Sequence, residues 1–161
     1  MMWTVWMGAV CLVAGQAATT PAAANFNGTW TLTSLEMKRK ADTGGGSVGI
    51  QPPDQVITQT ASTLEIAETV FDQVRKTTLA LDGTPTTNRA GATVSVTRSR
   101  WVGKKLVTEG KLSQNTSAGY DEWTTRETRS LTPAGVMVLE IEYIGRDGKV
   151  TASTRQYKRK S

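Results

Sequence analysis

The sequence predicts an all-β protein: an antiparallel up-and-down β-barrel of about eight to ten strands, with no major helix beyond the leader. Three observations predict it. From Gln55 onward, short runs rich in Thr and Val alternate with tight turn signals, which suits β structure. No segment sustains apolar residues at i, i+3 and i+4, the helical pattern. Hydrophobic residues make up 38% of the chain and aromatics 6%, too lean for two thick packed layers but enough for one sheet closed on itself.

The elements follow in order. Residues 1–24 are uncharged, with an apolar run from Trp3 to Ala14 and small residues offering Gly15-x-Ala17 or Ala22-x-Ala24 for cleavage. This stretch is expected to be a removed signal peptide, leaving 25–161 as a single domain that is secreted or periplasmic. Residues 29–37 read as the first strand. Trp30 and Leu32 share one parity and Leu35 and Met37 the other, so a bulge is expected near Thr33-Ser34. Residues 41–54, with Gly44-Gly45-Gly46 and Pro52-Pro53, form the longest irregular segment. It is expected at the open mouth of the barrel, away from Trp30, as a gate.

Strands are then expected over 56–60, 63–70, 74–81, 92–101, 106–112, 120–131, 136–144 and 150–158. Turns are expected at Asp82-Gly83-Thr84-Pro85, Thr132-Pro133-Ala134-Gly135 and Arg146-Asp147-Gly148. Alternation puts Leu64, Ile66, Val70, Val94, Val96, Leu106, Leu112, Met137, Leu139, Ile141 and Tyr143 on the buried face. A meander with one buried face removes its exposed edges by closing.

Composition prunes function. There is no His, and the only Cys, Cys11, lies in the leader. His-based triads, thiol nucleophiles, disulfides and the usual zinc sites are therefore excluded, and no cofactor, metal or catalytic activity is expected. Glu140-x-Glu142 places both carboxylates opposite Leu139, Ile141 and Tyr143, on the solvent face, which is unsuited to a glycosidase pair. The net charge of +5 is spread out, without the interleaved aromatics that stack bases. No specific nucleic-acid partner, no membrane span after cleavage and a monomer are expected.

The motifs Phe26-x-Gly28-Thr29-Trp30, Trp101-x-Gly103-Lys104-Lys105-Leu106, Leu131-Thr132-Pro133-Ala134-Gly135 and Tyr157-x-Arg159 together resemble the lipocalin and calycin superfamily. The nearest resemblance is to short lipocalin-like barrels of secreted bacterial proteins. The resemblance implies structural roles for Gly28 and Trp30, and a C-terminal Arg, Arg155 or Arg159, packed on the tryptophan. It also implies a barrel that binds a small apolar or amphipathic ligand, anionic head groups included. The alternative is a secreted inhibitor or interaction module acting through an N-terminal arm, Ala18–Asn25, or through its loops.

Inside such a barrel the candidate ligand-binding residues are Trp123, Glu127, Arg129 and Tyr143, with Arg98 and Arg100 as an alternative anion-greeting pair. Trp123, Thr125, Glu127, Arg129 and Leu131 share one parity. If Trp123 and Leu131 face in, Glu127 and Arg129 do so too, and would bridge each other because buried charges need partners.

Overall fold

Thr- and Val-rich runs without sustained helical apolar spacing form ten strands in a computed structural model that describes residues 23–39, 53–117 and 119–161. They are β1 (Gly28–Arg39), β2 (Gln55–Gln59), β3 (Thr63–Val70), β4 (Gln73–Ala80), β5 (Asp82–Ala90), β6 (Thr93–Val102), β7 (Lys105–Thr116), β8 (Gly119–Leu131), β9 (Met137–Gly145) and β10 (Val150–Arg159). The leader and residues 40–52 of the glycine-rich segment lie outside the described residues, as do the expectations placed on them. Among the described residues there is no helix, hence none long and apolar enough to cross a membrane.

The strands make one antiparallel sheet in the order β4-β3-β2-β1-β10-β9-β8-β7-β6-β5. The first of these strands therefore lies in the middle of the sheet, and the last pairs with it. The bulge expected in β1 falls between Leu32 and Ser34, where the register with β10 shifts.

The outer strands β4 and β5 meet without a ladder, and side chains bridge them. Thr78 N donates to Asn88 Oδ1 at 2.8 Å, and Asn88 Nδ2 donates back to Thr78 O at 2.9 Å. Ala80 N donates to Thr86 Oγ1 at 3.1 Å. The sheet thus curls into a nearly closed barrel whose seam is held by side chains instead of backbone.

β5 is the strand that the sequence reading takes for a turn. Asp82 does make a local turn contact, accepting from Thr84 N at 2.9 Å. The chain nevertheless continues extended against β6, with a register shift between Asp82 and Pro85. Proline is tolerated here because β5 has a ladder on one side only.

At one end lie the β2–β3, β4–β5, β6–β7 and β8–β9 connections and the start of β1, and this end is closed. Trp30 is fully buried there among Phe26, Leu64, Leu106, Met137 and Tyr157. Its Nε1 donates to Phe26 O at 2.7 Å. Phe26 stacks on Trp101 at 5.9 Å between ring centroids. Arg159 lies over the Trp30 ring, with Cζ 4.8 Å from the centroid, and donates from Nη2 to Asn25 O at 3.1 Å.

Gly28 sits at φ +124°, a conformation that other residues rarely adopt, and it turns the chain beneath Arg159. Gln59 pins the entering segment: it receives Phe26 N on Oε1 at 2.8 Å and donates from Nε2 to Ala24 O at 3.0 Å.

Of the two arginines the resemblance offered, Arg159 takes the tryptophan. Arg155 shares its parity but stands four residues back along β10, about 13 Å away at 3.3 Å per residue, and faces the lumen instead.

Burial of Trp30 sets a clear order of effects. Trp30→Ala is expected to cost about 3–5 kcal/mol of stability in chemical denaturation. Arg159→Ala is expected to cost only about 0.5–2 kcal/mol, the range of a cation–π contact. Equal midpoints for Trp30→Ala and the unaltered protein would contradict the plug.

Candidate functional site

The lumen is built from the inward parity of each strand. On β8, Trp123, Thr125, Glu127, Arg129 and Leu131 face in, with Thr125 and Arg129 buried. On β9 the inward set is Met137, Leu139, Ile141 and Tyr143; on β10 it is Ser153, Arg155 and Tyr157. Directly opposite residues share a face, so the ladders assign levels. Arg129 pairs with Leu139, and Leu139 with Arg155. Both arginines therefore stand on one level, two strand spacings or about 10 Å apart at the backbone. One level nearer the mouth is Glu127, and one further is Tyr143, opposite Thr125.

Arg129 is 3% exposed. It does not bridge to Glu127. Its Nη1 donates to Gln55 Oε1 across the barrel at 2.9 Å and lies 3.4 Å from Met137 Sδ. Gln55 in turn donates from Nε2 to Glu68 Oε1 at 2.7 Å. The three residues form a polar crossbar from β8 through β2 to β3. Below it is the apolar plug around Trp30; above it is a cavity of about 300 Å³ opening at the other end. Ile66, Glu68, Thr97, Thr125, Glu127 and Tyr143 are among its lining residues, and the exposed Arg75 and Arg89 line it as well.

Burial works against the Arg129 charge and lowers its pKa, while the nearby Glu127, Tyr157 and Glu68 favour the charged form. A guanidinium does not lose its proton inside proteins, so burial is answered by partners. Tyr143 and Tyr157 are pushed above the ordinary tyrosine value, chiefly by burial. Glu127 adds to the effect at Tyr143, and Arg155 opposes it at both.

Three inward polar atoms, Arg155 Nε, Tyr157 OH and Thr97 Oγ1, are buried without a well-formed hydrogen bond among the described residues, although Arg155 stands close enough to Tyr157 to oppose the rise in its pKa by hydrogen bonding. Such orphans are uncommon in native proteins.

Arg98 and Arg100 require a correction, together with Val94 and Val96. On β6 the inward parity belongs to Thr93, Ser95, Thr97, Ser99 and Trp101, because Ser99 bonds Thr108 inside the barrel at 2.8 Å between hydroxyls. Arg98 and Arg100 are exposed, as is Val96 at 45%. Arg100 pairs with Glu109 on the outer wall at 3.2 Å, and Glu109 also meets Arg126 at 3.4 Å. The β6 wall thus inverts the usual pattern, with valines outside and hydroxyls inside. Glu140 and Glu142 are exposed on the outer face.

The sequence reading missed the luminal roles of Gln55, Glu68 and Tyr157. The parity of Leu64 and Ile66 carries Glu68 inward, and the signal lay there.

Ala24 and Asn25 are tied across the closed end, with Ala24 packed on the core, and do not protrude as an arm. No group of three or more candidate metal-ligating side chains occurs among the described residues.

Neither a family model nor a curated protein matches this sequence. Solved structures do. Apo lipid binding protein 8 of Caenorhabditis elegans aligns with TM-score 0.59 at 13% identity, over 84% of this chain and 95% of that one. A point mutant of the REP1-NXSQ fatty acid transporter aligns with TM-score 0.56 at 14% identity, over 83% and 97%. A point mutant of the fluorescent protein UnaG aligns with TM-score 0.53 at 17% identity, over 84% and 96%. At these identities the likeness concerns the fold alone, a lipocalin-like antiparallel β-barrel.

Burial of two of the three tyrosines has a pH consequence. Their folded pKa values lie above the unfolded value near 10, so the folded state binds more protons there. Their contribution to stability should be constant below about pH 10 and be lost as pH rises past it. Tyrosinate absorbance should show two tyrosines ionising above the ordinary tyrosine range. All three titrating together in the folded protein would contradict their placement.

Proposed function

We propose that this protein is a non-catalytic barrel that binds an amphipathic anion in its lumen, its head group held by Arg129, Arg155 and Tyr157. One observation carries the reading. Two guanidiniums stand on one level of the inner wall, and Arg155 Nε and the neighbouring Tyr157 hydroxyl are buried there without a well-formed hydrogen bond. A carboxylate or similar anion would accept from them and recover the desolvation cost. The cavity above reaches Glu127, one inward position from that level, and has room for a ligand body, at the lower end of the range for small-molecule sites.

The neighbours described as a lipid binding protein and a fatty acid transporter support a ligand of this class. The short apolar run from Trp3 to Ala14, with small residues after it, supports export, with residues 1–24 removed and a monomeric barrel working outside the cytoplasm.

Displacement of an anilinonaphthalene sulfonate probe by dodecanoate tests the reading. Arg155→Met should weaken dodecanoate by about tenfold or more, the scale of one hydrogen bond to a charged group, while its melting curve stays cooperative. Unchanged affinity would remove Arg155 from the head-group site.

A further inference from the structure

Resting on that anion-binding reading, we infer that the natural ligand carries a hydrogen-bond donor close to its acid group, as in a β-hydroxy acid, and that Glu127 receives it. Glu127 lines the cavity and makes no hydrogen bond or ion pair among the described residues. It stands one inward position toward the mouth from Arg129, about 7 Å along the strand. A ligand reaching the arginine level with its acid therefore lays its next few atoms against the Glu127 carboxylate.

A bare hydrocarbon chain there would strip water from an unpaired carboxylate and return nothing, which is costly. A hydroxyl near the acid converts the same approach into a charge-assisted hydrogen bond.

The wall beyond is consistent with an oxygenated ligand. Thr97 lines the cavity, is 8% exposed and leaves Oγ1 without a partner. Thr97 and Thr125 flank Gly110 in the ladder, and a Cβ on Gly110 would fall 2.1 Å from Val96 O. Only glycine permits that approach of β7 to β6, so the hydroxyl-bearing wall is a built feature of the lumen. The neighbouring pair Ser99 and Thr108 satisfy each other, whereas Thr97 is left for a ligand or for water.

The test compares dodecanoate with β-hydroxydodecanoate in the full-length mature protein, by displacement of the same probe. The hydroxy acid should bind about fivefold more tightly or better, the scale of one net hydrogen bond. Glu127→Leu should remove that difference. Equal affinities in the unaltered protein would overturn the inference and leave the head-group site standing. A preference that survives Glu127→Leu would overturn the assignment to Glu127. Binding of neither acid would overturn the head-group reading and this inference with it. The comparison in the unaltered protein decides the matter even where the variant does not fold.

Discussion

A positive charge inside a thin-walled barrel organises this molecule. Arg129 cannot shed its proton, and its position on β8 denies it water. It reaches across the lumen to Gln55, and Gln55 is held by Glu68. This crossbar fixes where the apolar core stops. Below it, Trp30, Phe26 and Tyr157 fill the end of the barrel; above it, the walls turn to Thr, Ser and Glu and a cavity remains. A carboxylate beside Arg129 would neutralise it alone, but Glu127 stands off and Gln55 takes the bond. The charge is thus anchored by Gln55, with Glu127 and Glu68 near enough to favour it.

Closure follows a similar logic. Ten strands must return on themselves, yet β5 carries residues poorly suited to a second ladder, among them Pro85. Asn88 reproduces a pair of ladder bonds with its side-chain amide, receiving Thr78 N and donating to Thr78 O. The closed end is sealed differently, by the chain crossing beneath Trp30 under Arg159. One rim is therefore stiff and hydrophobic, while the wall at the seam rests on a few side-chain bonds.

Most of the fold was legible because strands with one buried face announce themselves by parity. Met137, Leu139, Ile141 and Tyr143 face in as alternation requires, and the slip between Leu32 and Leu35 marks a real bulge. β5 was not legible: Asp82-Gly83-Thr84-Pro85 carries every local sign of a turn, and its strand character comes only from pairing with β6. The inward placement of Trp123, Glu127, Arg129 and Tyr143 is what parity on 120–131 and 136–144 implies. Arg98 and Arg100 were misplaced because hydrophobicity is a poor guide on β6, where a polar lumen puts Thr97 and Ser99 inside and Val96 outside. A wall facing a ligand cavity obeys the ligand's chemistry, which a one-chain reading does not contain. Gln55 escaped notice for the same reason: its partner Arg129 lies 74 residues away.

The central claim is that the cavity delivers an acid group to the arginine level. The most direct measurement is a crystal structure of the protein with dodecanoate bound. The account predicts the carboxylate within hydrogen-bond distance of Arg155 or Tyr157, on the level of Arg129, with the chain running past Glu127 toward the mouth. A carboxylate found at Arg75 and Arg89, with the alkyl end pointing down toward Trp30, would contradict it.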